Sequence, residues 1–194
     1  MSTICVYCGS SPGTDPAFLR AAREVGALIA QRGHSLVYGG GNVGLMGAVA
    51  DAVLAAKGQV VGVIPENFVR QELEHRGLTK LHVVSSMHER KALMASLADG
   101  FLALPGGIGT LEEIAEVFVW TQLGLHAKPC ALLNVNGYYD PLVSFLAHMT
   151  DARFLRAEQL SQLIVAREPT EALDRLQSFT PTVVEKWMDR KQTG

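Results

Sequence analysis

Gly100-Phe101-Leu102-Ala103-Leu104-Pro105-Gly106-Gly107-Ile108-Gly109-Thr110-Leu111-Glu112-Glu113 runs from an apolar stretch through a glycine turn into the helical pattern Ile114-Ala115-Glu116-Val117-Phe118-Val119-Trp120. That order reads as strand, turn, helix. Glycines at 106, 107 and 109 let the backbone approach a ligand closely, and the free N–H groups opening the helix form an anion site. Phosphate is the natural guest. A plain phosphate cradle has no use for carboxylates beside its anion. Glu112 and Glu113 therefore point to a site that holds a nucleotide and acts on it.

On either side of this stretch, short apolar runs alternate with longer helical ones, as in a parallel α/β sheet. Strands are predicted at Thr3–Cys8, Ser35–Tyr38, Val60–Ile64, Leu81–Val84, Phe101–Leu104, Cys130–Leu133 and Leu163–Val165. Helices are predicted at Pro16–Gln31, Leu45–Lys57, Glu89–Ala98, Thr110–Leu123, Tyr139–Ala152 and Thr170–Phe179. Asp15-Pro16 and Pro169-Thr170 supply helix starts, and Gly33, Gly58 and Gly124 supply stops. Pro65–Lys80 is charged and weakly periodic, and reads as a long loop with one helical turn. The expected fold is Rossmann-like α/β: a doubly wound, mainly parallel sheet flanked by helices. It forms one nucleotide-binding domain over residues 1–180, with a polar, peripheral tail over 181–194. Cys8–Gly13, Tyr38–Gly44, Ser85–Lys91 and Pro105–Glu113 each follow a predicted strand. All of them thus lie on the carboxyl rim, where open α/β sheets bind ligands at a switch point.

Composition narrows the class further. A chain of 194 residues buries most of its unfolded surface as one domain, and 48% hydrophobic with 19% charged residues is ordinary for a globular protein. The net charge of -2 gives no electrostatic reason to expect a nucleic-acid polymer or a membrane as partner. The amino terminus lacks the basic flank of a signal peptide, and no apolar run approaches the roughly 20 residues that span a bilayer. Cys5, Cys8 and Cys130 are too few for a disulfide scaffold, which places the expectation in a reducing cytoplasm. Residues three apart on a strand face opposite ways, so Cys5-x-x-Cys8 is not read as a redox or metal pair. No metal-ligand cluster and no Ser-His-Asp spacing is present, and no metal is expected.

Each motif also has a bland reading. Gly39-x-Gly41-x-x-Gly44, with Glu66 further on as a ribose ligand, matches the dinucleotide fingerprint, yet glycines there also serve a tight turn and close helix packing. Thr110 can cap its helix or give its hydroxyl to a phosphate oxygen. Glu112 and Glu113 can be simple stabilisers of a helix's first turn, where the positive dipole end also lowers a carboxylate pKa and keeps it ionised. Glu116 is expected to face solvent. Arg90 and Lys91 stand in the predicted first turn of their helix, where cations are disfavoured. A solvated pair is one explanation, and partnership with the glutamates or the nucleotide is the other. His88 reads as a hydrogen-bonding neighbour.

The set Tyr38-Gly39-Gly40-Gly41-x-x-Gly44-Leu45-Met46-Gly47, Met87-His88-x-Arg90-Lys91 and Pro105-Gly106-Gly107-x-Gly109-Thr110-x-x-Glu113 resembles the LONELY GUY (LOG) family of cytokinin riboside 5'-monophosphate phosphoribohydrolases. Older naming often labels such proteins lysine decarboxylases. The resemblance runs from about Cys5 to about Val165 and joins three separated motifs. It implies a homodimer, without cofactor, that hydrolyses the N-glycosidic bond of a nucleoside 5'-monophosphate such as AMP or isopentenyl-AMP to free base and ribose 5-phosphate. Arg90 and Glu113 take the catalytic positions. Gly106, Gly107, Ile108, Gly109 and Thr110 become the phosphate cradle, with Leu111 following, while Lys91 and Glu112 line the substrate. Glu72 falls where the family places a further substrate-contacting acid, although Leu73-Glu74-His75-Arg76-Gly77 departs from the family's small and polar residues. Val117-Phe118-Val119-Trp120 is the apolar stretch nominated for the dimer interface. Rival readings are a Rossmann-like nucleotide or cofactor carrier without hydrolysis, a pyridoxal-phosphate decarboxylase and an NAD-binding protein. The carrier needs the glycine turns but neither Arg90 nor Glu113. The decarboxylase needs a Schiff-base lysine, for which Lys91 beside Arg90 is a poor candidate.

Overall fold

The chain's path is given by a computed structural model that describes residues 2–69 and 74–181. The expected tail over 181–194 lies, beyond Pro181, outside the described residues. The elements follow as β1 (Thr3–Tyr7), α1 (Pro16–Gln31), β2 (Ser35–Tyr38), α2 (Gly44–Ala55), β3 (Gln59–Pro65), α3 (Glu66–Val69), β4 (Lys80–Val84), α4 (Met87–Leu97), β5 (Gly100–Ala103), α5 (Ile108–Gln122), β6 (Cys130–Leu133), a 3-10 turn (Val135–Gly137), α6 (Asp140–Asp151), α7 (Ala157–Leu160), β7 (Leu163–Ala166) and α8 (Pro169–Gln177). Among the described residues the sheet has seven strands in the order β4-β3-β2-β1-β5-β6-β7, and every pairing within it is parallel. From β1 the chain winds outward to β4, returns to β5 and winds outward the other way. The switch point therefore lies between β1 and β5, whose carboxyl ends carry the turns after Tyr7 and after Ala103.

Strands buried on both faces need apolar residues at successive positions, and β2, β5 and β6 are buried along their whole length. Alternation then divides the core in two. Ile4, Val6 and Cys8 join the face covered by α1, α2 and α8, while Cys5 and Tyr7 join the face covered by α4 and α5. Cys5 and Cys8 thus face opposite ways, as their spacing on a strand requires. All three cysteines are free and buried.

Helix starts differ from expectation in two places that matter. The Ser86 side chain accepts from the Glu89 N–H, and the Glu89 carboxylate accepts from the Ser85 N–H, so α4 begins at Met87 rather than Glu89. The backbone of Gly107 opens α5 at Ile108 rather than Thr110. Arg90, Lys91, Glu112 and Glu113 all move into the second turn of their helices. The stop predicted at Gly58 is instead made by Lys57 in a left-handed conformation, φ 60°. Gly58 is required for another reason, since a Cβ there would stand 2.7 Å from both Ala30 Cβ and Val53 Cγ1. Within the expected loop, α3 supplies the single helical turn. Among the described residues no helix is long and apolar enough to cross a membrane, and no group of His, Cys, Asp and Glu could hold a metal ion.

Candidate active site

Arg90 and Glu113 reach each other from neighbouring helices on one face of the sheet. Arg90 Nη1 donates to Glu113 Oε1 at 2.6 Å, and Arg90 Nε donates to the Val63 carbonyl of β3 at 3.1 Å. The two residues are only 8% and 9% exposed. Gly39, at the end of β2, forms the wall beside them, and a Cβ there would stand 2.1 Å from Arg90 Nη2. That glycine is needed for space and not for its dihedral angles. Burial raises the Glu113 pKa, and the Arg90 guanidinium opposes part of that rise. The expected lowering at a helix start is not met: Glu113 stands past the first turn, where the dipole's effect falls off, and its removal from water raises the pKa. The second carboxylate oxygen of Glu113 has no hydrogen-bond partner among the described residues.

Outside this couple lies a second one. Lys91 Nζ donates to Glu112 Oε1 and, at 3.2 Å, to Glu116 Oε1. Glu116 is therefore half-buried and ion-paired, where the sequence pattern led us to expect solvent. The hydrogen bond to Glu112 raises the Lys91 pKa, so the amine stays protonated. A Schiff-base lysine needs the opposite environment.

Gly107 is the N-cap of α5 and offers no side-chain cap, leaving the N–H groups that open the helix to an incoming acceptor. A Cβ added at Gly107 or at Gly109 would meet nothing within 4 Å, so open space stands over the turn. Gly106 faces inward instead, where a Cβ would collide with Thr110 Oγ1 at 2.2 Å and with the Gly9 backbone nitrogen at 2.8 Å. Thr110 is buried beneath the turn and does not cap the helix. Ile108 is 81% exposed, and Leu111 is also exposed. Beside the turn, at the switch point, lies a depression of about 310 Å³ lined by Ser10, Ser11, Leu45, Gly106, Gly107 and Tyr138. From Gly109 to Glu113, α5 rises ~6 Å along its axis. That is comparable to the span of a ribose 5-phosphate from its phosphate to its anomeric carbon.

Other predicted residues fall elsewhere. Glu72 lies outside the described residues. Its neighbours fold over the glycine turn after β2: His75 N donates to the Gly40 carbonyl at 2.9 Å, and Gly41 bridges Glu74. Of the dinucleotide-like fingerprint, Gly39 and Gly44 serve close packing, and so does Gly40, which stands between its first two glycines. Gly40 has φ +77° and lies against Ile64, and a Cβ on Gly44 would strike the Ser10 carbonyl carbon at 2.3 Å. Glu66 opens α3, and His88 is exposed on α4. Val117 and Phe118 are core residues, so the stretch nominated for an interface cannot serve as a whole, although Val119 is 45% exposed. Sequence reading missed the Val63 carbonyl, the Gly39 wall, Glu116 and Tyr138. Gly39 was legible as a motif glycine and Tyr138 as the first of two adjacent tyrosines at the start of a predicted helix, while the Val63 carbonyl left no signal.

Comparison with known proteins gives three findings. A family model described as possible lysine decarboxylase matches residues 46–176. The chain is 49% identical over 177 residues, 91% of its own length and 89% of the other's, to the cytokinin riboside 5'-monophosphate phosphoribohydrolase of Rhodococcoides fascians. It is 46% identical over 178 residues to the cytokinin riboside 5'-monophosphate phosphoribohydrolase LOG of Oryza sativa subsp. japonica, covering 92% of this chain and 74% of that one. Among solved structures, the molybdenum cofactor binding protein of Rippkaea orientalis aligns with TM-score 0.70 at 22% identity, covering 91% of this chain and 96% of that one. At that identity the likeness is one of fold.

Proposed function

Because this chain belongs to the LOG family of cytokinin riboside 5'-monophosphate phosphoribohydrolases, we propose that it hydrolyses nucleoside 5'-monophosphates, plain or prenylated on the adenine, with Arg90 and Glu113 at the reacting centre. The observation that carries this reading is the buried 2.6 Å couple one turn below an uncapped glycine turn. The 5'-phosphate accepts from the N–H groups of Gly107 to Thr110, which fixes the sugar along α5 and uses binding energy at the remote end to lower the barrier. Lys91 and Glu112 line the substrate at the mouth.

Cleavage breaks the bond between C1' and the base nitrogen, and the electron pair leaves with the base. The ribosyl centre becomes oxocarbenium-like, as in glycoside hydrolysis. The ionised Glu113 carboxylate stabilises that charge and polarises the attacking water. Hydroxide from the water joins C1', and the water's other proton goes to the departing base. Arg90 holds Glu113 ionised against the effect of its burial and offsets negative charge on the base as it leaves. Lysine decarboxylation is set aside, because the lysine beside the couple is held as an ammonium by Glu112 and Glu116.

The protein acts as a homodimer through the outer face of α5. Ile108, Leu111, Ala115, Val119 and Leu123 are exposed at helical spacing, forming an apolar stripe that begins at the phosphate turn. Free, buried cysteines suit the reducing cytoplasm. Glu113→Ala or Arg90→Ala is expected to abolish release of base from AMP while far-ultraviolet circular dichroism stays that of the parent. Full activity in either variant would overturn the assignment.

A further inference from the structure

We propose that Tyr138 is a positioning residue of the phosphate turn, acting through the Gly106–Gly107 peptide; this rests on the reading above that the turn grips a 5'-phosphate. The Tyr138 hydroxyl donates to the Gly106 carbonyl at 2.6 Å. That carbonyl belongs to the same peptide unit as the Gly107 N–H, and the unit is trans. In a planar trans peptide the C=O and N–H point opposite ways. Anchoring the oxygen on the tyrosine side therefore aims the Gly107 N–H away from it, as one of the donors at the mouth of α5. Glycine on both sides of this peptide leaves no Cβ to resist its rotation. The hydroxyl supplies the restraint that the sequence of the turn lacks.

Tyr138 is itself held from several directions. Its ring meets Phe18 edge-on at 5.4 Å and Tyr139 edge-on at 5.0 Å. Phe18 in turn fits against Gly13, where a Cβ would stand 2.7 Å from its ring. The backbone below is tied by Asn134, whose side chain accepts from the Tyr139 N–H at 2.7 Å and donates to Asp140 at 2.6 Å. Yet Tyr138 is 42% exposed and lines the depression at the switch point, so its hydroxyl is not there to complete a core.

Tyr139 provides the contrast. Its buried hydroxyl donates to the Leu104 carbonyl at 2.6 Å. The peptide it holds leads into Pro105, which has no N–H. The same type of bond, two residues earlier in the strand-to-turn passage, aims no donor at a phosphate.

The test compares the full chain with Tyr138→Phe and Tyr139→Phe. Binding of ribose 5-phosphate and of AMP is titrated by calorimetry, alongside KM and kcat for AMP and the thermal midpoint. Tyr138→Phe keeps the ring contacts and loses the anchor. It is expected to weaken ribose 5-phosphate and to raise KM by a common factor of about three to ten, with kcat and the midpoint little changed. Tyr139→Phe is expected to lower the midpoint without changing ribose 5-phosphate affinity. Parental affinity in Tyr138→Phe, or an equal loss in both variants, would overturn the proposal. A parent chain that binds neither ligand would overturn the phosphate turn itself, and this proposal with it.

Discussion

Glu113 shows how far burial can redirect a side chain. Its carboxyl is held above the usual glutamate range by desolvation and drawn back by Arg90 and, more weakly, by Lys91, while Glu112 pushes it up. The proposed reaction needs the ionised form, so kcat/KM should fall on the acid side at a pH above that of an ordinary glutamate. Glu112→Gln should move that limb to lower pH, and Lys91→Gln should move it to higher pH. A limb that stays in place in both variants, in a pH–rate profile, would mean another group titrates. Stability has the opposite sign from the usual carboxylate. Because the folded value lies above the unfolded one, the folded chain holds the proton more tightly, and stability declines as pH rises from the unfolded value toward the folded one. At this scale the resemblance of three motifs singles out Arg90 and Glu113 as residues, but not their environment. Whether a glutamate near a helix start meets the dipole or a dry interior depends on two residues of helix boundary and on what packs above it. Neither is written in the local sequence. The Val63 carbonyl left no trace at all, because any residue would supply one.

In the proposed reaction α5 carries the chemistry, because one helix presents two properties a turn apart. Its opening N–H groups are left uncapped by Gly107, and its buried side holds Glu113 against α4. α4 meets it with an ordered start, since the Glu89 N–H donates to Ser86 and the Glu89 carboxylate accepts from the Ser85 N–H, which fixes where Arg90 emerges. On the opposite face of the sheet, α1 and α2 are drawn together by Gly26, where a Cβ would lie 2.4 Å from the Val49 carbonyl and 2.8 Å from Ala52 Cβ. Backbone cannot yield as a flexible side chain would. Gly26→Ala should therefore cost about 1–3 kcal/mol in urea denaturation, and because neither helix carries Arg90 or Glu113, KM for AMP should hardly change. A neutral effect on stability would mean that the two helices separate freely. Elements with strong local punctuation were legible. Asp15-Pro16 starts α1 at the predicted residue, with the Asp15 side chain accepting from the Ala17 N–H. Starts set by a serine cap or by bare glycine backbone were displaced by two residues, because their signals compete with neighbouring good helix formers.

Across the whole molecule, alternation of apolar runs and helical stretches is enough to infer a parallel α/β sheet, and the carboxyl-rim rule is enough to gather the motifs on one edge. Strand order is not legible in that way, since each pairing joins segments distant in the chain. The division of α5 into buried and exposed stripes was also missed: Val117 and Phe118 turn inward while Val119 turns outward. That stripe bears on assembly. Charging it, as in Val119→Asp with Leu123→Asp, should convert a dimer into a monomer in sedimentation velocity, without loss of secondary structure. A monomeric parent, or a variant that stays dimeric, would remove α5 from the interface. The most direct measurement of the central claim is chromatography of the products formed from AMP and from isopentenyl-AMP by the parent chain and by Glu113→Gln. The parent should release free base and ribose 5-phosphate in equal amounts, and the variant should leave the nucleotides intact. Unchanged nucleotide with the parent, or undiminished base release by the variant, would contradict the account.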